Sequence, residues 1–171
     1  RGGVSRFASD PYSPLAAAIN RASFQLRQPT IAIDGHCFGQ NWTGTQQMTF
    51  ELIRSMAQQR PTQEFSVLIS TTVSAELQNE LLALGNIQIE VITNIMDDRQ
   101  YRFDVIIRPY QVNSTEELRW IKRIAGRCIV GQLDFISYHN PTYFASDHEW
   151  LSQRELTRLT LASVDGVAWI S

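Results

Sequence analysis

The sequence predicts an α/β protein: a Rossmann-like, doubly wound, mostly parallel sheet flanked by helices. Two observations carry this prediction. Short segments rich in β-branched residues recur along the chain, and most are separated by helical patterns of about 10 to 15 residues. Right-handed crossovers between such strands leave few topologies other than a parallel sheet covered on both faces.

The strands are expected where β-branched and aromatic residues concentrate between turn signals. These segments are 31–33, 65–69, 87–92, 103–107, 128–130 and 167–170.

Four helices are expected between them, placed by caps and by apolar residues at helical spacing. The first spans 45–59, and the second starts near Ser74 and ends before Gly85, in the favoured C′ position. The third starts with a capping box from Ser114 to Glu117 and ends at Gly126. The fourth starts with a second box, Ser146 to Glu149, and continues to residue 163.

Residues 1–29 differ in character from the rest and are predicted to be an extension or linker with a short helix. Ser13 and Pro14 provide a cap and a first turn for that helix. The Rossmann-like domain is expected to span 30–171. Since the chain begins with Arg1, it is expected to be cut from a longer protein.

Composition excludes several classes of protein. Fifteen basic and seventeen acidic residues give a net charge of -2, so nucleic acid is not expected as a partner. Apolar runs are much shorter than the roughly 20 residues that span a bilayer, which predicts no transmembrane segment. Cys37 and Cys128 match no metal or redox spacing, which favours a reducing cytoplasm.

The loop after the first strand, in IAIDGHCFGQNWTGTQQ (31–47), is the first candidate binding site. Ligands of doubly wound folds bind beyond the carboxyl ends of the strands. A helix N-terminus beside glycines offers free N–H groups to a phosphate, which makes Gly44 and Thr45 candidates for the donor or phosphate side. Ordinary turn formation by the glycines is the alternative.

A second candidate is GQLDFISYHNPTYF (131–144), which follows the fifth predicted strand. It brings Asp134, Tyr138 and His139 to the expected cleft, where a carboxylate can hold a sugar hydroxyl and aromatic rings can cover a sugar ring. The alternatives are that Asp134 caps the next turn and that His139 is a surface residue. His36 and Cys37 have no further ligand at a useful spacing, so no metal is expected.

Four segments in order resemble the N-terminal domain of a retaining glycosyltransferase of family 4, which has the two-domain GT-B fold. They are IAIDGHCF with TGTQQMTFELIRSMA, FDVIIRP, IVGQLDFISYHNPTYF and VDGVAWIS. Gly44, Asp134, Pro141, Tyr143 and Phe144 match the family pattern, whereas Gln46 replaces a glycine and Leu133 a histidine.

The resemblance implies a hexosyltransferase, active as the full-length protein, that transfers sugar from a nucleotide-sugar to a glycan or glycolipid in cell-surface polysaccharide synthesis. It implies no cofactor and no metal, and peripheral membrane association stays open. The donor would bind mainly to a C-terminal domain that lies outside this chain, so these residues alone are expected to transfer nothing. The catalytic residues stay unassigned.

Two other classes compete with this interpretation. The first is a non-catalytic Rossmann-like module that binds a ligand or partner, since fold does not fix function. The second, a nucleotide-sugar epimerase or dehydrogenase, is disfavoured because the chain has neither G-x-G-x-x-G nor a Tyr-x-x-x-Lys pair.

Overall fold

A computed structural model describes residues 28–39, 43–92 and 102–169. At its centre is a parallel six-stranded sheet. Its strands are β1 (Ile31–Asp34), β2 (Phe65–Ile69), β3 (Ile87–Val91), β4 (Phe103–Arg108), β5 (Ala125–Gln132) and β6 (Gly166–Trp169). They lie side by side in the order β3-β2-β1-β4-β5-β6. This order confirms the predicted Rossmann-like architecture, because the chain builds outward from β1 and then returns to add strands on its other side.

In the described ranges, five helices and one short 3₁₀ turn connect the strands. They are α1 (Gly44–Gln59), α2 (Ala75–Leu82), α3 (Thr115–Ile124), α4 (Ile136–His139), the 3₁₀ turn Pro141–Tyr143, and α5 (Asp147–Ser163). None of the described helices combines the length and apolar character needed to cross a bilayer. The predicted helix in the N-terminal extension lies outside the described residues.

Two hydrophobic cores cover the two faces of the sheet. Successive residues of a strand point to opposite faces, so Ala32 joins one core and Ile33 the other. The Ala32 core receives side chains from α3 and α5, and the Ile33 core receives side chains from α1 and α2. Helices therefore pack on both faces, as the doubly wound prediction requires.

Some predicted boundaries were wrong by a few residues. The third helix was expected to end at Gly126, but β5 already begins at Ala125, which pairs with Phe103 of β4. Pairing with a neighbouring strand decided this boundary, and that neighbour is not evident from local sequence. Gly85 does adopt a left-handed φ of 87°, but Ala83 is the C-cap, so Leu84 occupies C′ and Gly85 lies at C″, one position later than predicted.

The two predicted capping boxes form only in part. Ser114 and Ser146 each accept a hydrogen bond from the amide three residues later. The glutamates, however, accept from the amides of Asn113 and Ala145, one residue before each serine. Each helix start is still satisfied, by a serine cap and by a glutamate bond to the preceding residue.

Candidate ligand-binding site

The cleft of a doubly wound sheet opens where the strand order reverses, and in this protein that point lies between β1 and β4. The chain leaves β1 for α1 on one face and leaves β4 for α3 on the other. The two connections diverge, so a gap remains above the carboxyl ends of these strands. The last residues of the two strands, Asp34 and Arg108, lie at the floor of this gap.

Asp34 is completely buried and accepts four hydrogen bonds. Oδ1 accepts from the His36 amide at 3.0 Å and from the Tyr110 hydroxyl at 2.9 Å, and it lies 2.7 Å from His36 Nδ1. Oδ2 accepts from Arg108 Nη1 at 2.9 Å. Burial by itself raises the pKa of Asp34, but the His36 hydrogen bonds and the Arg108 charge outweigh it and lower the pKa below its usual value. Asp34 is therefore a buried carboxylate with its charge retained.

Arg108 is 3% exposed and links Asp34 to the wall of the cleft. Its Nη2 donates to Glu117 Oε2 at 2.6 Å, and Nε and Nη2 both donate to the Gln111 carbonyl at 3.2 Å. The guanidinium also stacks over the Tyr110 ring, 4.4 Å from its centroid. Protein acceptors thus engage four of the five N–H groups of Arg108.

Tyr110 and Cys37 contribute neutral groups to the site. Burial, followed by the nearby Asp34 charge, raises the pKa of Tyr110 well above 10, so its hydroxyl stays protonated and donates to Asp34. The same hydroxyl accepts from the Cys37 amide at 3.2 Å. Burial also raises the pKa of the Cys37 thiol to about 11, which removes the thiolate that a cysteine nucleophile requires.

An open pocket of about 260 Å³ lies above this network. This volume is close to the lower end of the roughly 300–1,000 Å³ typical of ligand sites, so it suits a small ligand or one part of a larger one. Polar and apolar surface contribute about equally to the lining; the lining residues are His36, Cys37, Thr45, Arg108, Tyr110, Gln111, Asn113, Glu117 and Leu133.

Two lining groups have unused hydrogen-bonding capacity. Glu117, whose side chain is 25% exposed, uses Oε2 for Arg108 and the Asn113 amide, and its Oε1 has no partner within the described part of the chain. His36 Nε2 is buried and also lacks a partner among the described residues. With Nδ1 donating to Asp34, the neutral His36 ring has an acceptor at Nε2.

The predicted phosphate-side residues lie at the start of α1. Thr45 lines the pocket, while Gly44 is the exposed first residue of the helix. A capping box that the sequence analysis missed begins this helix: Thr43 Oγ1 accepts from the Gln46 amide, and Gln46 Oε1 accepts from the Thr43 amide. Gln46 Nε2 also donates to the Cys37 carbonyl at 2.6 Å, so the glutamine that replaces the family's glycine holds the loop in place.

The predicted acceptor-side residues lie to one side of this pocket. Asp134 is exposed, and its Oδ1 accepts from the Ile136 amide. This hydrogen bond caps the following turn, which was the alternative role given for Asp134 in the sequence analysis. His139 is exposed and contacts the rings of Phe135 and Tyr138. The Tyr138 hydroxyl accepts from Arg158 Nε at 3.0 Å, which lowers the pKa of the phenol. Whether Asp134, Tyr138 or His139 contacts a ligand stays a prediction.

A second, smaller cavity lies beneath Tyr138. It has a volume of about 10 Å³, room for about one water molecule, and its lining is almost entirely polar. Thr160 Oγ1, which is buried without a partner in the described chain, belongs to this lining. Tyr138 therefore borders this small polar cavity and does not line the larger pocket.

Sequence reasoning missed the charged floor of the site. Asp34 and Arg108 are both charged residues at the ends of apolar strands, and that pattern was the available signal. Their pairing, however, depends on β1 and β4 being neighbours although 74 positions separate the two residues. His36 was considered only as a metal ligand. Within residues 28–39, 43–92 and 102–169, no three His, Cys, Asp or Glu residues are arranged to hold a metal ion.

Comparison with known proteins found a solved structure with a similar backbone. No protein-family model matches this chain, and no curated protein matches it significantly. The solved structure comes from Nostoc punctiforme PCC 73102 and is named a "putative O-methyltransferase". It is 16% identical to this chain with a TM-score of 0.42, and the match covers 92% of this chain and 45% of the other. This chain thus spans less than half the length of that protein.

The comparison corrects the predicted enzyme class. The sequence resemblance implied a hexosyltransferase, whereas the structural neighbour is named for methyl transfer, a different type of transfer reaction. The predicted reaction type is therefore wrong by this comparison. At 16% identity the neighbour does not assign methyl transfer to this chain either. The resemblance to family 4 stays a prediction that no comparison addresses.

Proposed function

We propose that this chain is a Rossmann-like binding module that holds a hydroxyl-bearing ligand, a carbohydrate or the carbohydrate part of a larger molecule, in the pocket between β1 and β4. The observation that supports it most is the position of this pocket above the Asp34–Arg108 pair, with both polar and apolar groups in its lining. Ligand pockets in open α/β sheets form at this point of the topology. Binding, rather than a reaction, is what the described groups support.

The chemistry of the lining suits hydroxyl groups. Glu117 Oε1 is a partly exposed acceptor that lacks a protein donor among the described residues, and sugar hydroxyls are donors. Thr45 and Asn113 add polar groups that line the pocket. A buried or partly buried acceptor gains most when a ligand satisfies it, because an unsatisfied group costs about 1–3 kcal/mol.

The sequence resemblance supports the same ligand class, because it implies that this domain binds a carbohydrate or glycolipid acceptor. The nucleotide-sugar donor expected to bind mainly outside this chain stays a prediction. So do the cytoplasmic location and peripheral membrane association.

An NMR titration of the chain with neutral monosaccharides tests this proposal. We expect amide shifts at Thr45, Tyr110 and Asn113, which surround the pocket, and no shifts along the far edge at β3. Leu133→Trp should fill the pocket and abolish these shifts, because Leu133 lines it.

The matched control is Leu159→Trp, which makes the same change at an exposed position of α5. Its titration should equal that of the wild type. The proposal fails if no neutral sugar shifts the pocket amides, or if Leu133→Trp binds as well as Leu159→Trp does.

A further inference from the structure

An arginine beside a ligand pocket usually suggests a phosphate or carboxylate ligand. Arg108 is different, because protein acceptors already engage four of its five N–H groups. Nη1 donates to Asp34, Nη2 to Glu117, and Nε and Nη2 to the Gln111 carbonyl. At 3% exposure it also cannot turn toward a ligand without breaking two ion pairs. Arg108 therefore acts mainly as a structural cation, and only one N–H of Nη1 is left without a protein acceptor in the described chain.

The charge balance of the pocket points the same way. Two carboxylates, Asp34 and Glu117, face one guanidinium, so these three side chains carry one excess negative charge. Glu117 is the member nearest to solvent, with a side chain that is 25% exposed and lines the pocket. A ligand entering the pocket thus meets the carboxylate before it meets the buried guanidinium.

The start of α1 at Thr45 contributes a positive electrostatic potential that opposes the negative charge of Glu117. Thr45 lies in the first turn of α1, and a helix N-terminus carries roughly half a positive charge. That partial charge is smaller than the full charge of Glu117, and part of it is already satisfied by the Thr43–Gln46 capping box. The helix start reduces the negative field of the pocket without reversing it.

We infer that this pocket selects hydroxyl-rich ligands that are uncharged or carry an amino group, that it rejects phosphate and carboxylate groups, and that Glu117 determines this selectivity. The inference rests on the proposed function, since it concerns the same pocket. It goes beyond that proposal by naming the charge class of the ligand and the residue that sets it.

The test compares glucose, glucosamine and glucose 6-phosphate in the same NMR titration of the pocket amides. The wild type should bind glucose and glucosamine and should bind the phosphate about tenfold more weakly than glucose, because a nearby like charge is repulsive. Glu117→Gln keeps the shape of the side chain and an acceptor for the Asn113 amide but removes the charge. This substitution should narrow or reverse the difference in affinity between glucose and glucose 6-phosphate.

Glu116→Gln is the matched control, because Glu116 precedes Glu117 on α3, is exposed, and does not line the pocket. The Glu116→Gln variant should bind glucose more tightly than glucose 6-phosphate by the same factor as the wild type. If Glu117→Gln fails to fold, as a melting curve would show, Asn113→Lys provides an independent test. It adds a positive charge at an exposed lining residue without touching either ion pair, and it should strengthen phosphate binding about tenfold.

The outcomes separate this inference from the proposed function. Equal binding of glucose and its phosphate by the wild type would overturn the selectivity and leave the binding proposal standing. If Glu117→Gln and Asn113→Lys both keep the wild-type preference for glucose over glucose 6-phosphate, the charge of Glu117 does not determine the selectivity. Absence of glucose and glucosamine binding would overturn both.

Discussion

Asp34 shows how one buried residue can connect the fold to the site. It ends β1, and its oxygens organise the loop through His36, the β4 end through Arg108 and the segment after β4 through Tyr110. A buried charge is tolerated when hydrogen bonds and an opposite charge compensate for the loss of water. Asp34 has both, so the carboxylate holds together the two sides of the pocket.

Asp34→Asn should therefore be strongly destabilising. It leaves Arg108 with one carboxylate partner in a buried position, and breaking such a pair costs about 3–5 kcal/mol. Urea unfolding near neutral pH measures the loss in the free energy of unfolding. Glu80→Gln, an exposed change on α2, should alter stability by no more than about 0.5 kcal/mol. Equal effects of the two substitutions would contradict the assigned role.

The pH dependence of stability provides a separate prediction. The pKa of folded Asp34 lies below its usual value of 3.8, so its stabilising contribution is present above that value and is lost as the pH falls through the folded pKa. The wild type should lose more stability between neutral pH and about pH 3 than Asp34→Asn does. Urea unfolding of both proteins across this range checks the sign. A steeper acid loss in the variant would show that Asp34 is protonated in the fold.

At the scale of elements, the start of α1 depends on Gln46. Its side chain accepts from the Thr43 amide and donates to the Cys37 carbonyl. The residue is only 5% exposed. A glycine at this position, as in the family pattern, would lose both hydrogen bonds. The Gln46 side chain therefore holds the loop and the helix start together.

Gln46→Gly should destabilise more than Gln47→Gly does. Both remove a side chain from the start of α1 and incur a helix penalty of up to about 1 kcal/mol. Only Gln46→Gly also loses two hydrogen bonds, each worth about 0.5–1.5 kcal/mol, so the difference should be about 1–3 kcal/mol. Thermal or urea unfolding of the pair gives this difference directly. No difference would mean that water replaces the Gln46 bonds without loss.

Two glycines of β5 provide a second matched pair. A Cβ on Gly131 would lie 2.5 Å from the carbonyl carbon and oxygen of Pro109, whereas a Cβ on Gly126 would lie 3.5 Å from the Asp104 oxygen. The first is a severe backbone clash and the second is ordinary contact. Gly131→Ala should cost about 1–3 kcal/mol or more, while Gly126→Ala should be nearly neutral.

Gly131→Ala should also disturb the ligand site, because the clash pushes on the backbone that leads into Tyr110. Crystal structures or amide shifts of the two variants would show a displaced Tyr110 only in Gly131→Ala. Equal stability of the two alanine variants would mean that β4 and β5 can separate at this point at little cost.

At the scale of the whole molecule, the sheet separates two cores that should respond independently. Ile53 belongs to the core under α1, Ile121 to the core under α3, and both are fully buried. Ile53→Val and Ile121→Val should each cost about 0.5–1.5 kcal/mol. The double variant should lose the sum within about 0.5 kcal/mol, because the sites share no contacts.

A double-mutant cycle by urea unfolding measures the coupling between the two cores. A larger coupling energy would show that the sheet transmits packing changes from one face to the other. Such a result would matter for function, because the pocket lies at the edge where both faces meet.

Sequence alone determined the class of fold. Alternating strands and helices, read from local periodicity and caps, predicted the doubly wound sheet and the alternation of its elements. These features depend on residues close together in the chain, so local patterns reveal them. For the same reason, Thr45 could be placed near the pocket from the helix start that follows β1.

Only the tertiary structure decided which charges meet. The pairing of Asp34 with Arg108 requires β1 and β4 to lie side by side, and the start of β5 at Ala125 requires the partner strand β4. Strand neighbours come from packing across the whole sheet, and no local pattern encodes them. The tertiary structure therefore decided the location and charge of the proposed site, while the alternation of elements decided that a site of this kind would exist.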